Sequence, residues 1–474
     1  MSAGYHRQTA YRRGEMGGHF LDWSLQPDPF KHYLHRDPLP LPSPRPPGAP
    51  FFELALGWPP PAAPRDGEFD AADLAAVCLM AAGITSRGEA GLRAPASAGA
   101  LYPAELYAVA CEVPGLEDGL YHFTPQRPGL NLLWPGRLAG LAARCLASPP
   151  ERLGFFVSAI FWRSLWKYRT RAYRYCLLDA GHLLANLELA LAACGLEPLT
   201  RLDFLDRSAA VLLGLASDDE VALAAVQAGG SPRDPGQAEV CLPPLDLQAR
   251  PLSRKVGRDP QVLAAHRQGD LERPVPPRRW LTPLPPRGLE PLPAPESPAE
   301  GPSLLEVVRR RRSRRNFLGL GLGLEAVSRL LKVALPRPGP CQATVLLAPG
   351  PDHPGGAFRY YPAEHALLPL GEDTRVRLGS ACLGQLWVGR AALVLVLWAD
   401  LEELTELGGP RAYRHAMLAA GRAGQRLYLG ATALGLGCCG VGAFYDGEVA
   451  RLAHLPRGAQ PLYLLAAGPV KGFP

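Results

Sequence analysis

The sequence predicts an α+β protein that contains two copies of one structural unit. The first observation is an internal repeat: residues 171–196 and 411–436 match without gaps at 12 of 26 positions, at an offset of 411 − 171 = 240. Chance does not give this identity, so the chain holds two related units. Each copy is long and apolar and ends at a glycine-containing stop, which predicts one buried helix in each unit.

Apolar strands precede both repeated helices. Residues 155–161 and 392–398 are runs of apolar and β-branched side chains, which is typical of buried strands. Further upstream, residues 119–125 resemble residues 357–362, and both segments are predicted to be strands that end in a turn. Strands followed by one long helix, twice over, are the second basis of the fold prediction.

The distribution of proline predicts the domain boundaries. The chain has 52 prolines, and many lie in residues 241–302, where they disfavour a helix or an inner strand. We therefore expect an extended linker over 241–302. The predicted organisation is an N-terminal extension at 1–50, a first domain at 51–240, this linker, and a second domain at 303–474.

The composition argues against two classes of partner. Apolar residues make up 47% and charged residues 20%, the balance of a globular protein. The net charge of +6 comes from arginines spread along the chain rather than from one basic face, so we expect no nucleic-acid partner. The longest uncharged apolar run, 391–399, is about half the length that a membrane span needs, so we expect no membrane partner.

Two further features bear on compartment and metal. The N-terminal residues lack the apolar segment of a signal peptide, and the ten cysteines form no CxxC pair, so neither a zinc site nor a disulfide framework is indicated. We expect a cytoplasmic protein without a metal. Asp179 and His182 share one predicted helix. Because a third ligand is lacking, we favour a structural hydrogen-bonded pair over a metal site.

Two segments have the composition of binding loops. Residues 309–317 read RRRRSRRNF, and guanidinium groups beside a hydroxyl suit a phosphate; a solvated basic helix end is the alternative. Small residues at 94–100, before a predicted alternating strand at 105–109, would let the backbone approach a flat ligand; an ordinary tight loop is the alternative.

Two glycine-rich segments are also candidates for binding loops. In residues 434–445 a helix end runs into a glycine-rich loop and a strand, whose amides could face a ligand. Here Cys438 and Cys439 are favoured as two small buried side chains over a redox pair. No strand precedes the GLGLG of 319–323, so this segment is predicted to be a loop before a helix at 324–333 rather than a dinucleotide-binding loop.

These motifs resemble the nitroreductase superfamily. Residues 311–317 are similar to its RRSxRxF signature, residues 433–444 to its GLGxxxxGxF signature, and residues 461–468 to its last strand, with Lys471 where the family has a basic phosphate-binding residue. Within the superfamily the chain is more similar to the SagB/ThcOx dehydrogenases. That similarity rests on residues 97–103 (SAGALYP), 105–107 (ELY), 166–168 (WKY) and 171–175 (RAYRY).

The resemblance implies two nitroreductase-like α/β sandwich units that form an intrachain pseudo-dimer with FMN between them. The family binds FMN with motifs from two subunits, and here each half keeps only part of them. The first half would supply Ser97, Ala98 and Gly99, although Ala96 stands where the family usually has proline. The second half has residues 338–344 where its own small-residue loop belongs. It would supply Arg311, Arg312, Ser313, Arg315, Gln425, Gly440, Val441, Gly442, Ala443 and Lys471. Because each half lacks the motifs that the other half keeps, we expect one FMN site per chain.

The resemblance also implies a reaction. SagB/ThcOx dehydrogenases oxidise peptide thiazolines or oxazolines to azoles and use a Lys-Tyr pair as acid and base, which corresponds here to Lys167 and Tyr168. The structural alternative is that this pair merely begins a helix and faces solvent. The expected substrate is a small molecule or a modified peptide, with a cyclodehydratase as a candidate partner and further homodimerisation left open. The competing functions are an NAD(P)H-dependent nitro or quinone reductase and a flavin-free scaffold in a biosynthetic complex.

Overall fold

The computed structural model describes residues 2–472, apart from 19, 58, 65–66, 87–90, 216–217, 238–246, 277, 279, 281–283 and 299. The chain divides into two compact units, each assembled from separate stretches of sequence. We call Phe20–Ala49 with Pro59–Pro277 the N-unit, and Met1–His19 with Pro50–Trp58 and Arg278–Pro474 the C-unit. The predicted linker start at residue 241 lies outside the described residues, and the four predicted boundaries stay predictions.

Helices and strands alternate along the described residues. The helices are α1 Ser2–Gln8, α2 Phe51–Ala55, α3 Ala71–Ala82, α4 Ala139–Leu146, α5 Phe161–Tyr168, α6 Ala172–Ala193, α7 Asp206–Leu213, α8 Pro260–Arg267, α9 Leu304–Arg310, α10 Leu324–Ala334, α11 Arg375–Ala381, α12 Leu401–Gly408, α13 Ala412–Ala433 and α14 Asp446–Leu452. The strands are β1 Leu39–Pro40, β2 Ile84–Ser86, β3 Leu92–Arg93, β4 Ala104–Ala110, β5 Gly119–Thr124, β6 Gly129–Pro135, β7 Leu153–Ile160, β8 Leu199–Arg201, β9 Glu220–Ala228, β10 Glu290–Pro291, β11 Gln342–Leu347, β12 Gly356–Tyr361, β13 Ala366–Gly371, β14 Leu393–Ala399, β15 Gly437–Val441 and β16 Gln460–Gly468. Short 3₁₀ turns cover Trp23–Leu25, Ala98–Ala100, Arg169–Arg171 and Leu386–Arg390.

Each unit is built on one seven-stranded antiparallel sheet. The strand order is β1-β6-β5-β4-β7-β9-β8 in the N-unit and β10-β13-β12-β11-β14-β16-β15 in the C-unit. These two orders are the same when the strands are matched by their place in each unit. The α+β prediction with two related units is therefore confirmed.

The repeated segments form the long helices α6 and α13, 22 residues each. Every residue of α6 is buried, because α3 and α5 pack on it and β4, β7 and β9 lie beneath it. The helix is mostly apolar, as a helix covered on all sides should be, and the buried carboxylates Asp179 and Glu188 on it accept hydrogen bonds. The predicted buried helix of each unit is thus confirmed.

The offset of 240 extends beyond the helices. The nine residues of β9 at 220–228 correspond to the nine residues of β16 at 460–468. Each central strand also has a register shift at the same place, between Val157 and Ser158 in β7 and between Leu397 and Trp398 in β14. Residues 240 positions apart can therefore be compared directly over this region.

The sheets are more deeply buried than an alternating pattern implies. Residues 105–109 were expected to alternate between core and surface, but all seven residues of β4 are buried. The strand is central, and helices cover both faces of the sheet: α6 on one, and on the other a cluster that includes Leu146 of α4 and Leu212 of α7 packed against Phe156.

One helical stretch among the described residues, Phe161–Ala193, is long and apolar enough by length and composition to cross a membrane. The sequence shows no long uncharged run there, because charged residues are scattered through the stretch. Its most apolar window is wholly buried, as a core helix is, whereas Lys167 and Tyr168 are half-buried and Arg169 is exposed.

Candidate functional site

The loop at Ser97 is held by one buried carboxylate of the N-unit. Ser97 Oγ donates to Asp179 Oδ2 at 2.5 Å, and the Ala98 amide donates to the same carboxylate at 3.1 Å. Ser97 Oγ also accepts from the Tyr102 amide at 2.9 Å. Asp179 on α6 thus serves this loop, and its hydrogen bonds go to Ser97 and Ala98 rather than to His182.

Burial of Asp179 has an electrostatic consequence. Desolvation raises the pKa of its carboxyl to about 7, although the hydrogen bonds from Ser97 and the Ala98 amide act in the opposite direction. The carboxyl therefore titrates near neutrality while it holds the loop.

The same loop has an unusual backbone. Gly99, Ala100 and Tyr102 all have positive φ values, of 65°, 54° and 46°. Glycine adopts such angles without strain, whereas a residue with a Cβ does not. Three such residues thus lie within four positions, and strained backbone of this kind is common at functional sites.

Lys167 and Tyr168 lie against this loop. A Cβ added to Gly99 would be 2.8 Å from Tyr168 Oη and 3.0 Å from Lys167 Nζ. Both residues lie in the last turn of α5 and are half-buried, so they neither begin a helix nor point freely into solvent. The structure therefore brings together two predicted parts of the site, from positions about 70 residues apart in sequence.

The next residue closes the turn in an uncommon conformation. Arg169 has φ 49° and ψ −139°, a region that residues with a Cβ rarely adopt. At the equivalent position of the C-unit, Gly409 has φ 65° and ψ −173°. The chain makes the same kind of turn in both units, with arginine in one and glycine in the other.

In the C-unit, the predicted phosphate-binding segment is joined to β15. Ser313 forms a parallel β-bridge with Cys438, and the Arg314 amide donates to the Cys438 carbonyl at 2.9 Å. Tyr428 of α13 links the two predicted motifs: its Oη accepts from the Gly440 amide at 2.7 Å and lies 3.0 Å from Ser313 Oγ.

The basic groups of the segment lie around this junction. The guanidinium carbon of Arg311 is 5.5 Å from the Tyr428 ring centre, and that of Arg315 is 5.8 Å from the Trp387 ring centre. Arg312 donates to the carbonyls of Arg309 and Arg311. Cations above aromatic rings are held in defined positions.

Lys471 joins the same junction through its backbone. Its amide donates to the Asn316 carbonyl at 3.2 Å, and its own carbonyl accepts from Asn316 Nδ2 at 2.6 Å. The side chains of Lys471, Ser313 and Arg315 are exposed. A guanidinium, an ammonium and a hydroxyl donor on one edge of the C-unit are the donor set that a phosphate monoester needs, so these residues fit the phosphate of FMN.

The remaining predicted contacts differ in burial. Gly440, Gly442 and Ala443 are partly exposed at the end of β15. The side chain of Val441 packs in the core with Phe444, which leaves its backbone for any ligand contact, and Gln425 is fully buried in the middle of α13.

Cys438 and Cys439 are both buried free thiols. Burial raises the pKa of both thiols, although Arg311 and Arg315 act in the opposite direction. A thiol with a raised pKa is a poor nucleophile, which favours small buried side chains over a redox pair.

Two residues that organise the candidate site were not predicted as part of it. Asp179 was considered only as a partner of His182, and Tyr428 was not considered. Both lie on the repeated helices, where the two copies differ: Asp179 corresponds to Ala419, and Tyr428 to Glu188. A polar residue in one copy where the other has an apolar one, as with Asp179 and Ala419, was therefore a usable signal; Tyr428 carried no such signal, because Glu188 is polar too.

One group of candidate metal ligands is found within the described ranges. Ligand atoms of Asp206, His266 and Asp270 lie within 4.8 Å of one another. His266 Nε2 is 3.5 Å from Asp270 Oδ1, and its Nδ1 is 3.2 Å from Tyr173 Oη. Contacts within the protein account for these positions, since Asp206 accepts from the Leu271 amide at 2.8 Å, and the expectation of no metal stays a prediction.

Part of the C-unit is similar to a known family. Residues 308–469, less than half of the chain, match the model of the nitroreductase family. The whole chain is similar to a crystal structure from Anabaena variabilis that is named as a nitroreductase, with a TM-score of 0.79, 24% identity and 99% of each chain covered. At this identity the similarity establishes the fold of both units.

Two curated proteins are similar over shorter stretches. A protein of Methanocaldococcus jannaschii that is named as a nitroreductase is 35% identical over 114 residues, which are 24% of this chain and 57% of that protein. The trifolitoxin-processing protein TfxB of Rhizobium leguminosarum bv. trifolii is 32% identical over 122 residues, 23% of this chain and 32% of that protein. The chain thus matches less than two thirds of either relative.

Proposed function

We propose that the chain is an FMN-dependent oxidoreductase, and that it acts as a dehydrogenase of the SagB/ThcOx type. The observation that carries the proposal is the position of Lys167 Nζ and Tyr168 Oη against Gly99. A nitroreductase fold alone supports reductases equally well. An amine and a phenol held together beside a small-residue loop favour a reaction that needs an acid and a base.

FMN binding is assigned chiefly to the C-unit. Arg311, Arg312, Ser313, Arg315 and Lys471 would hold the phosphate through charge-assisted hydrogen bonds. Gly440, Val441, Gly442 and Ala443 would offer backbone contacts, and Gln425 completes the set that the sequence predicted. In the N-unit, Ser97, Ala98 and Gly99 would contact the flavin through a loop that Asp179 fixes.

The reaction removes two hydrogens from a ring. Oxidation of a thiazoline or oxazoline to the azole withdraws a hydride from one ring carbon and a proton from its neighbour. FMN, when bound, supplies the hydride acceptor. Lys167 Nζ is assigned to take the proton, with Tyr168 Oη orienting the substrate beside it.

A modified peptide is the proposed substrate class. The similarity to a trifolitoxin-processing protein supports a role in processing, and azoline oxidation would require a cyclodehydratase to form the ring first. A nitro or quinone reductase is the second candidate, supported by the relative that is named as a nitroreductase.

Flavin binding can be tested with variants of the C-unit. Ser313→Ala and Arg315→Ala should each weaken FMN binding by roughly 1–3 kcal/mol, the loss of one charge-assisted contact, measured by flavin titration of the apoprotein. Arg309→Ala is the matched control, an exposed arginine in the last turn of α9. Equal FMN affinity in all variants would contradict the assignment, and a chain that cannot be loaded with FMN would restore the flavin-free scaffold.

The reaction class can be tested with the Lys-Tyr pair. The double variant Lys167→Ala, Tyr168→Phe should keep its flavin and lose oxidation of a thiazoline-containing peptide. If NAD(P)H instead rapidly reduces the bound flavin, and a nitro compound reoxidises it equally well in the double variant, the reductase function replaces the dehydrogenase.

A further inference from the structure

An extended segment of the N-unit runs along α5, the helix that ends in Lys167 and Tyr168. The segment from Asp22 to Lys31, here called the strap, begins with a 3₁₀ turn at Trp23–Leu25, in which the Asp22 side chain accepts a hydrogen bond from the Ser24 amide. Its contacts with α5 are made through backbone carbonyls and one aromatic ring, so they depend on where the strap lies more than on its side chains.

The first contacts are with Trp166, the residue immediately before Lys167. Trp166 Nε1 donates to the Asp22 carbonyl at 2.9 Å. The Trp23 and Trp166 rings meet edge to face, with centroids 5.3 Å apart at 70°. A buried indole N–H with an acceptor and an aromatic partner has little freedom to move.

The second contact lies one helical turn earlier. Arg163 is fully buried, and its Nε donates to the Asp28 carbonyl at 3.0 Å. Its Nη1 donates to the Tyr102 carbonyl at 2.9 Å and to Glu105 Oε1 at 2.5 Å. The guanidinium of Arg163, on α5, therefore donates both to the strap and to the end of the Ser97 loop.

The far end of the strap is anchored in the sheet. Lys31 Nζ donates to Glu220 Oε2 at 2.6 Å and to Tyr107 Oη at 2.8 Å. Burial lowers the pKa of Lys31, but attraction to Glu220 and Tyr33 and the hydrogen bonds to them together outweigh it, and the pKa rises above its usual range. Lys31 thus stays charged, and removing Glu220 would leave a buried charge unpaired.

We propose that the strap positions the Lys167–Tyr168 turn against Gly99, with Trp166 and Arg163 as positioning residues. The proposal rests on the proposed function for its effect on turnover, but its structural part stands on these contacts alone. With the strap released, the last turn of α5 would fray, because a helix end loses order when its packing is removed. Lys167 would then become more accessible to solvent.

The test uses two variants of the full chain that weaken the strap at Trp166. Trp166→Phe removes the indole N–H and keeps an aromatic ring, and Trp23→Ala changes an exposed residue that should not be needed for folding. Acetylation of Lys167, followed by mass spectrometry, should become about two- to tenfold faster in both, the range expected for one lost hydrogen bond or ring contact. Amide exchange over residues 161–168 should rise with it.

Trp162→Phe is the matched control on the same helix. Trp162 Nε1 donates to Ser253 Oγ at 2.9 Å, so this variant loses an equal bond without touching the strap. Unchanged acetylation in Trp166→Phe and Trp23→Ala, or an equal increase in Trp162→Phe, would overturn the proposal.

Turnover separates this proposal from the proposed function. If both hold, the strap variants keep their flavin, and kcat falls by a factor similar to the gain in Lys167 acetylation while KM changes less. A wild-type chain without dehydrogenase activity would contradict the proposed function, and the acetylation and exchange results would still decide on the strap.

Discussion

At the scale of single residues, the candidate site depends on polar groups placed in the core. Asp179 is nearly fully buried and still accepts the hydrogen bonds that fix Ser97 and Ala98. Ionising a carboxyl group that is this deeply buried costs free energy. The cost makes the stability of the protein depend on pH, which can be measured.

The first prediction concerns Asp179→Asn. The folded-state pKa of about 7 lies above the ordinary value of 3.8, so the native state favours the protonated carboxyl. Its stabilisation is full below about pH 4 and is lost as the pH rises through 7. Asparagine does not titrate. Between about pH 5 and pH 8, the free energy of unfolding of the variant should therefore rise by on the order of 2 kcal/mol relative to that of wild type. Urea unfolding at both pH values measures this, and parallel pH profiles would contradict it.

The second prediction concerns Gly99→Ala. The positive φ costs about 1–2 kcal/mol for a residue with a Cβ, and the new methyl would displace Tyr168 Oη and Lys167 Nζ. Gly230→Ala is the control, since Gly230 has φ 73° with nothing within 4 Å of an added Cβ. Both variants should lose similar stability in urea, but only Gly99→Ala should lose turnover. Equal turnover in the two would argue against the Gly99 contact.

The sequence points to candidate site residues where motifs are local. Ser97–Gly99 and Lys167–Tyr168, taken from short motifs and the family resemblance, lie together in the structure, and their roles stay predictions. The support from Asp179 was missed because it lies 82 residues from Ser97, and no local pattern links them. Hydrogen-bond partners in a buried core are set by tertiary packing, which a single sequence does not encode in its spacing.

At the scale of elements, the long helices serve both as core and as support for loops. α13 shows this most directly, since Tyr428 holds Ser313 and the Gly440 amide at once. Burial raises the pKa of Tyr428 far above its usual value, so its hydroxyl stays protonated.

The third prediction is that Tyr428→Phe uncouples the two predicted FMN-binding motifs. Losing the hydrogen bond from the partly exposed Gly440 amide costs about 0.5–1.5 kcal/mol, so the free energy of unfolding should fall by about that amount and FMN affinity should fall. Tyr413→Phe on the same helix is the control, since the Tyr413 hydroxyl contacts His6, away from either motif. The two variants are compared by thermal unfolding and flavin titration. An equal loss of FMN affinity in both would mean that the effect is not specific to Tyr428.

Elements were predicted well where periodicity and repeat agreed. The strands at 155–161 and 392–398 and the helix at 324–333 appear as β7, β14 and α10 within one or two residues. The short edge strands β1 and β10 were not predicted, because two-residue strands carry too little pattern and exist only through pairing with β6 and β13.

At the scale of the whole molecule, the two units resemble each other in topology and differ in chemistry. Lys167 and Tyr168 correspond to Leu407 and Gly408 of the C-unit, so a Lys–Tyr pair stands at this position in one copy. The Arg-rich segment at 309–317 and its contacts to β15 belong to the other copy, the C-unit.

The fourth prediction is a stoichiometry of one FMN per chain. Because each copy keeps a different part of the family's motifs, saturation with FMN should give one flavin per polypeptide, measured by flavin absorbance against protein concentration. Arg311→Ala with Ser313→Ala should remove most of it, and Arg309→Ala should not. Two flavins per chain would show that both copies kept a working site.

The sequence did not reveal that each unit is assembled from separate stretches of the chain. Residues 1–19 and 50–58 belong to the C-unit, where Tyr5 meets Tyr413 and Phe51 is fully buried. The sequence marked 1–50 as an extension, since a short apolar segment does not reveal which distant core it will join.

The turn shared by Arg169 and Gly409 bears on the history of the chain. A repeat of this identity on one strand order points to duplication of an ancestral gene. Both copies make a positive-φ turn at this position, which is expected if the ancestral unit already made it. Glycine adopts this conformation without strain, whereas arginine adopts it at an energetic cost. The two copies thus share a backbone shape at a position where their side chains differ.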